Sequence, residues 1–186
     1  MKASVYIATS LDGFIARENG DLDWLSGSDS AETGEEHGAG TGEDFGFKEF
    51  LDSIDTLVMG RKTFDVVVAS GQWPYGSIPV VVLSSGPVQI PNRLIETVES
   101  QSAYPTELVE QLSKRGAKHI YVDGGKTIQG FLSAGLIQHF IITRVPVLIG
   151  KGIPLFGSVN GDIMLQHVET RSFPNGFVQS KYDVHE

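Results

Sequence analysis

Twice along this chain a short β-branched run ends in glycine and gives way to a basic residue, a threonine and a helical pattern. The first instance is Gly60-Arg61-Lys62-Thr63 after Thr56–Met59, and the second is Gly124-Gly125-Lys126-Thr127 after His119–Val122. A strand that feeds a helix through glycine implies strands alternating with helices, and that alternation implies a largely parallel sheet covered on both faces. It also implies an anion site. The first N–H groups of a helix point outward with the positive end of the helix dipole, and glycine lets a ligand approach the backbone. Either turn alone is explained by tight turning. Two together, each with a basic residue and a threonine, point to a phosphorylated nucleotide lying across the carboxyl ends of the strands.

The remaining pattern agrees with α/β order. Ala3–Thr9, Pro79–Leu83 and Gln138–Val145 read as strands, and Arg93–Val98 is expected to be another. Helices are expected over Asp44–Leu51, Thr63–Val68, Thr106–Arg115 and Lys126–Ala134, the last two closed by Gly116 and Gly135. Ile163–Thr170 and Gly176–Tyr182 alternate polar and apolar residues, the signature of a closing antiparallel hairpin. At 186 residues, 40% hydrophobic and 20% charged, the chain suits one domain over 1–186. Ser26–Gly42 is expected to be a mobile acidic surface loop: no Lys or Arg occurs from Glu18 to Phe47.

A net charge of −9 argues against a nucleic-acid partner. No apolar run approaches the roughly 20 residues of a membrane span. The absence of cysteine excludes thiol chemistry and fits a cytoplasmic address. The strict nucleotide motifs fail, because Ile120 stands where Walker A needs glycine and Glu43 stands where a Rossmann fingerprint after Gly38 and Gly40 needs its third. Asn19, Asp21 and Asp23 have calcium-loop spacing, but Trp24 and Ser30 replace the required glycine and glutamate. The five histidines are scattered, so no metal site is expected.

In order and spacing, Thr9-Ser10-Leu11-Asp12-Gly13-Phe14-Ile15-Ala16, Met59–Phe64, Leu83-Ser84-Ser85, Asp123-Gly124-Gly125, and Phe131–Leu136 leading to Val145–Phe156 resemble the dihydrofolate reductase superfamily. The closer likeness is to the reductase domain of the bifunctional riboflavin-biosynthesis enzyme. That resemblance implies a three-layer αβα fold, with a mostly parallel sheet of about eight strands ending in an antiparallel hairpin. It implies NADPH as cofactor and a small-molecule substrate reduced by hydride transfer, of the 5-amino-6-(5-phosphoribosylamino)uracil reductase type. Arg61, Ser84 and Ser85 would meet the adenosine 2′-phosphate, a role that suits a guanidinium and hydroxyls. Gly60, Lys62 and Thr63 would complete that turn, and Gly124, Gly125, Lys126 and Thr127 would seat the diphosphate. Ala8 and Ile15 would flank the nicotinamide, beneath a closing loop over Asp12–Trp24, with Trp24, Phe45 and Phe47 lining the substrate pocket. The resemblance also suggests a homodimer.

Asp44 falls where the folate enzymes place the carboxylate that assists protonation. Held against aromatic rings it would have a raised pKa and serve as an acid; as a simple helix cap it would not. The folate reading lacks its carboxylate clamp, since no Lys or Arg occurs between Thr63 and Asn92 and Ile78 stands at the counted position. The riboflavin reading meets Gln138-His139 in place of an acidic pair. Its phosphorylated substrate has Arg17, Arg144 and Lys151 as candidate cations. Dihydrofolate reduction and an NADPH-binding protein without turnover stay open beside the pyrimidine reductase.

Overall fold

The computed structural model describes residues 1–26, 44–159 and 161–185. The loop expected over Ser26–Gly42 lies almost wholly outside them. One eight-stranded sheet carries the fold, with spatial order β5-β4-β3-β6-β1-β7-β10-β9. Its strands are β1 (Lys2–Ser10), β3 (Thr56–Gly60), β4 (Val80–Leu83), β5 (Val98–Gln101), β6 (His119–Asp123), β7 (His139–Val145), β9 (Leu165–Ser172) and β10 (Val178–Val184). The pairs from β5 to β7 are parallel; β10 runs antiparallel to both β7 and β9. Four helices connect them: α1 (Phe47–Ser53), α2 (Arg61–Ala69), α3 (Pro105–Lys114) and α4 (Gly125–Ser133).

Alternation along each strand sorts the core into two layers. Leu57 and Met59 of β3, Val80 and Val82 of β4 and Tyr121 of β6 pack with Phe50 of α1 and Phe64 of α2. Val58, Val81, Ile120 and Val122 point the other way, onto Leu108 and Leu112 of α3 and Ile128 and Phe131 of α4. The result is the expected three-layer αβα fold. Its strands read as continuous apolar runs because both faces are covered.

The expected strand over Arg93–Val98 is corrected. Asn92–Leu94 forms a single 3₁₀ turn, and the strand begins at Val98. Leu94 is buried as a plug beneath the turn, so its apolar character came from packing and not from a ladder. The pattern also hid a two-stranded sheet, β2 (Phe14–Ala16) with β8 (Ile153–Pro154), too short to leave a period. Among the described residues, no helix is long and apolar enough to cross a membrane, and no group of three or more His, Asp or Glu could hold a metal ion.

Candidate functional site

β3 and β6 are neighbours, yet their outgoing helices leave on opposite faces: α2 toward β4, α4 toward β7. That divergence is the switch point where an open α/β sheet leaves a crevice beyond its strand ends. The two glycine turns stand at its lips and interlock. A Cβ on Gly60 would sit 2.8 Å from Thr127 Oγ1, and a Cβ on Gly124 would collide with Thr63 Oγ1. Each turn's glycine therefore makes room for the other turn's threonine. Gly124 also has φ +91°, a left-handed value that glycine alone adopts without strain. A Cβ on Gly125 would come within 3.0 Å of Ile15 Cδ1 and Ile153 Cγ2, so β2 and β8 are seated against the start of α4.

The first turns of α2 and α4 are not closed by side chains. Neither α2 nor α4 has a side-chain cap, and neither has an acidic residue in its first turn. Arg61, Lys62 and Lys126 are exposed there. Arg61 makes a loose pair with Asp65 at 3.5 Å and passes close to Gly86 on the loop after β4. Ser84 Oγ is used within that loop, donating to the Gly86 carbonyl at 2.8 Å and accepting from its N–H. The exposed Ser85 remains open toward solvent. The residues present fit a phosphorylated dinucleotide: two bare helix N-termini side by side, with a guanidinium and a serine hydroxyl beside one of them.

On the α1/α2 face, central strand β1 leaves Tyr6 and Ala8 partly exposed although strands flank it on both sides. Phe47 leans on Tyr6 with ring centroids 5.2 Å apart. Tyr6 donates to the Phe45 carbonyl at 2.9 Å, and the buried Gln179 amide reaches the same carbonyl, Tyr6 Oη and Thr143 Oγ1 at 3.0–3.1 Å. This network fixes the turn into α1, where Phe45 takes φ 55° ahead of Gly46 at φ 81°. The Phe45 ring packs with Phe173 and Phe177 in a third cluster that buries Trp24 against Val145. Trp24 Nε1 is buried without a hydrogen-bond partner among the described residues.

Asp44 departs from the raised pKa expected of an acid. Its carboxylate is exposed and accepts the N–H groups of Gly46 at 2.9 Å and Lys48 at 3.2 Å. Those backbone bonds favour the charged form and pull its pKa below the ordinary value. The geometry is that of a capping carboxylate at the mouth of α1. Asp12 is likewise held ionised, first by Ser10 Oγ at 2.6 Å and then by the N–H groups of Gly150 and Ile149. It ties the Asp12–Trp24 segment to the Val145–Phe156 segment, as the β2–β8 pair does.

The sequence signature described as the RibD C-terminal domain matches residues 2–179. The chain belongs to that family. The Bacillus subtilis (strain 168) protein YyaP is 32% identical, with 95% of this chain and 91% of YyaP covered. A protein from Shewanella sp. PV-4 assigned to riboflavin biosynthesis superposes with a TM-score of 0.88 at 35% identity, covering both chains fully. A dihydrofolate reductase from Enterococcus faecalis, solved with NADP(H), shares the fold at a TM-score of 0.66 and 17% identity, covering 100% of this chain and 97% of that one.

Against this RibD-type frame, one group stands out that the sequence offered only as part of an anchor. Asp123 ends β6 directly beneath the Gly124 turn. Burial pushes its pKa up to about 6, although its 2.7 Å bond from Gly124 N–H and the nearby Tyr121 hydroxyl pull the other way. It has no cationic partner among the described residues. Tyr75 and Tyr121 lie near it, each with its own pKa raised chiefly by burial. Tyr121 gives its proton to the Tyr6 carbonyl at 2.8 Å.

Proposed function

We propose that this chain is an NADPH-dependent reductase that delivers hydride to a small heterocycle, of the 5-amino-6-(5-phosphoribosylamino)uracil reductase type. The observation that carries the reading is the pair of helix N-termini, without side-chain caps or acidic residues in their first turns, set side by side at the β3/β6 switch point. In this reading the N–H groups of Gly125–Thr127 hold the diphosphate. Arg61 and Ser85 hold the adenosine 2′-phosphate, with Ser84 shaping their turn. Ala8 and Ile15 bracket the nicotinamide, which supplies the hydride when bound. Trp24, Phe45 and Phe47 wall the substrate side and keep water out. Of the two carboxyls near the crevice, Asp123 has an acid's character and Asp44 a cap's, so the proton is assigned to Asp123.

The cations favour a substrate recognised mainly through its ring. Arg17 is engaged by Asp23 at 2.6 Å, and Arg144 opens on the α3/α4 face of the sheet. The exposed cap geometry of Asp44 lends some weight to the second reading, an NADPH-binding protein without turnover.

Two assays separate these readings. NADPH is expected to raise the melting temperature more than NADH does; equal shifts remove the roles of Arg61 and Ser85. NADPH oxidation is then followed against folates, pterins and aminopyrimidine ribosides with and without a 5-phosphate. Turnover of a pyrimidine supports the proposal, turnover of a folate supports dihydrofolate reduction, and silence with a retained NADPH shift supports binding alone.

A further inference from the structure

We propose, resting on the reductase reading above, that Gln179 is a positioning residue that holds the aromatic wall of the crevice against the cofactor and so sets substrate affinity. The wall contains a strained residue. Phe45 takes φ 55° and is the only non-glycine residue with positive φ among the described residues. A bulky aromatic residue keeps that conformation only where its surroundings over-determine it, and such residues gather at functional sites.

Two clamps hold Phe45. The Asp44 carboxylate accepts the N–H groups of Gly46 and Lys48, which shapes the turn from within. That clamp is local, so it does not fix where the turn sits over the sheet. The Phe45 carbonyl does, by accepting from Tyr6 Oη at 2.9 Å and from Gln179 Nε2 at 3.1 Å. Tyr6 belongs to central β1 and Gln179 to β10, two strands away. A carbonyl only accepts, so nitrogen must be the Gln179 atom that faces it, and the amide has one orientation. Nε2 also reaches Tyr6 Oη at 3.1 Å and Thr143 Oγ1 at 3.0 Å. One amide thereby ties β1, β7 and the entry to α1 together. Gln179 is 4% exposed. A carboxamide buried this deeply is costly unless bonded, and once bonded it specifies one geometry.

Register sets this amide beside the cofactor. Thr143 of β7 pairs with Ala8 of β1 on one side and with Gln179 of β10 on the other. With strands about 4.8 Å apart, Gln179 stands roughly 10 Å across the sheet from the residue assigned to the nicotinamide. The wall it holds is aromatic. Phe45 packs on Phe173 at 4.7 Å and Phe177 at 5.5 Å, Phe47 on Tyr6 at 5.2 Å, and Trp24 joins the Phe45 cluster. Without the amide, Phe45 is free to relax to negative φ, which swings its ring from Phe173 and Phe177 and shifts the start of α1 with Phe47. A planar substrate then loses its fixed seat beside the hydride donor. The two glycine turns, on the opposite side of β1, are untouched.

Gln179→Met keeps the side chain's length and removes its hydrogen bonds. It is expected to raise KM for the heterocycle at least about 10-fold, with KM for NADPH within about 2-fold of wild type. Leu112→Ala, in the opposite core layer, controls for lost stability. It is expected to lower the melting temperature and leave both KM values unchanged, because unfolding removes active sites without altering those that remain. A second readout needs no substrate. In a Trp73→Phe background Trp24 is the sole tryptophan. Acrylamide quenching of its emission is expected to rise at least about 3-fold with Gln179→Met and not with Leu112→Ala. Circular dichroism checks folding, and Gln179→Asn, too short to reach Phe45, replaces Gln179→Met should that variant unfold. Failure of the reductase reading shows separately, as a wild type that NADPH stabilises but that turns over no heterocycle. Quenching then decides alone, a rise supporting the proposal. Unchanged quenching, an unchanged KM for the heterocycle, an equal rise in KM for NADPH, or the same changes in Leu112→Ala overturns it.

Discussion

Replacing Asp123 with Asn should stabilise the protein at neutral pH and silence it. A carboxyl ordinarily titrates near 3.8; burial raises this one to about 6. Such a rise corresponds to about 3 kcal/mol of cost for carrying the charge in the folded state. The sign follows from linkage. Between the two pKa values the folded protein holds a proton that the unfolded chain has released, so stability falls as pH rises through that window. Above about pH 6 the full cost is present; near pH 4 it is nearly absent. Asn cannot ionise and keeps an oxygen to accept Gly124 N–H. Its new amide donors need partners beneath the turn, so the expected net gain at pH 7.5 is about 1–3 kcal/mol, or roughly 2–10 °C in melting temperature for a chain of this size. The assay is urea unfolding of wild type and Asp123→Asn at intervals from pH 4 to 8, read as their difference so that other carboxylates cancel. The difference should start near zero and grow to a plateau above pH 7. If Asp123 supplies the proton, wild-type turnover should also fall as pH rises through about 6, and the variant should lose at least about 100-fold. A variant less stable than wild type at pH 7.5, or a difference independent of pH, refutes the account of Asp123 as a carboxyl whose pKa is raised by burial.

Gly124→Ala is expected to cost roughly 2–4 kcal/mol, from positive φ together with the collision at Thr63. Adding Thr63→Ala should recover part of that loss, and an additive double mutant would deny the interlock. Gln179→Leu strips the amide that joins Tyr6, Phe45 and Thr143, and urea unfolding should register a loss of about 1–3 kcal/mol. Asp44→Asn should lower the melting temperature slightly at pH 7, an effect that fades as pH falls below 3.8 through the depressed folded-state pKa, because such a carboxyl stabilises only while it is ionised. Its turnover should stay within a few-fold of wild type. A loss of about 100-fold without a change in melting temperature would return Asp44 to the role of proton donor.

The layered sheet was legible because buried parallel strands and amphipathic helices leave strong periods, and glycine marks the ends of α3 and α4. The two glycine turns were legible for the same reason, as strand, glycine and helix in immediate succession. What sequence could not carry was anything set by a neighbour distant in the chain. Arg93–Val98 looked like a strand because an apolar plug and an edge strand share composition. Asp44 stayed open between acid and helix cap because its aromatic neighbours are adjacent in sequence; in space its nearest partners are backbone N–H groups. Asp123 was visible as an anchor, but its burial and the nearness of Tyr75, from a separate segment, were not.

The interlocked turns change how the glycine–threonine repeat is understood. Read from sequence, the two turns were anion sites that together hold one phosphorylated nucleotide, each with a basic residue and a threonine. In the fold, each threonine fills the space opened by the opposite glycine, so neither turn can take its shape without the other. The same Gly125 that starts α4 also receives Ile15 and Ile153, which Asp12 and the β2–β8 pair hold in place. A ligand bound to the N–H groups of one turn thus rests on residues drawn from β3, β6 and the Asp12–Trp24 and Val145–Phe156 segments. Binding energy gained there is shared by all of them. Any substitution that loosens one turn should therefore weaken cofactor affinity at the other, even where no atom of the ligand is touched.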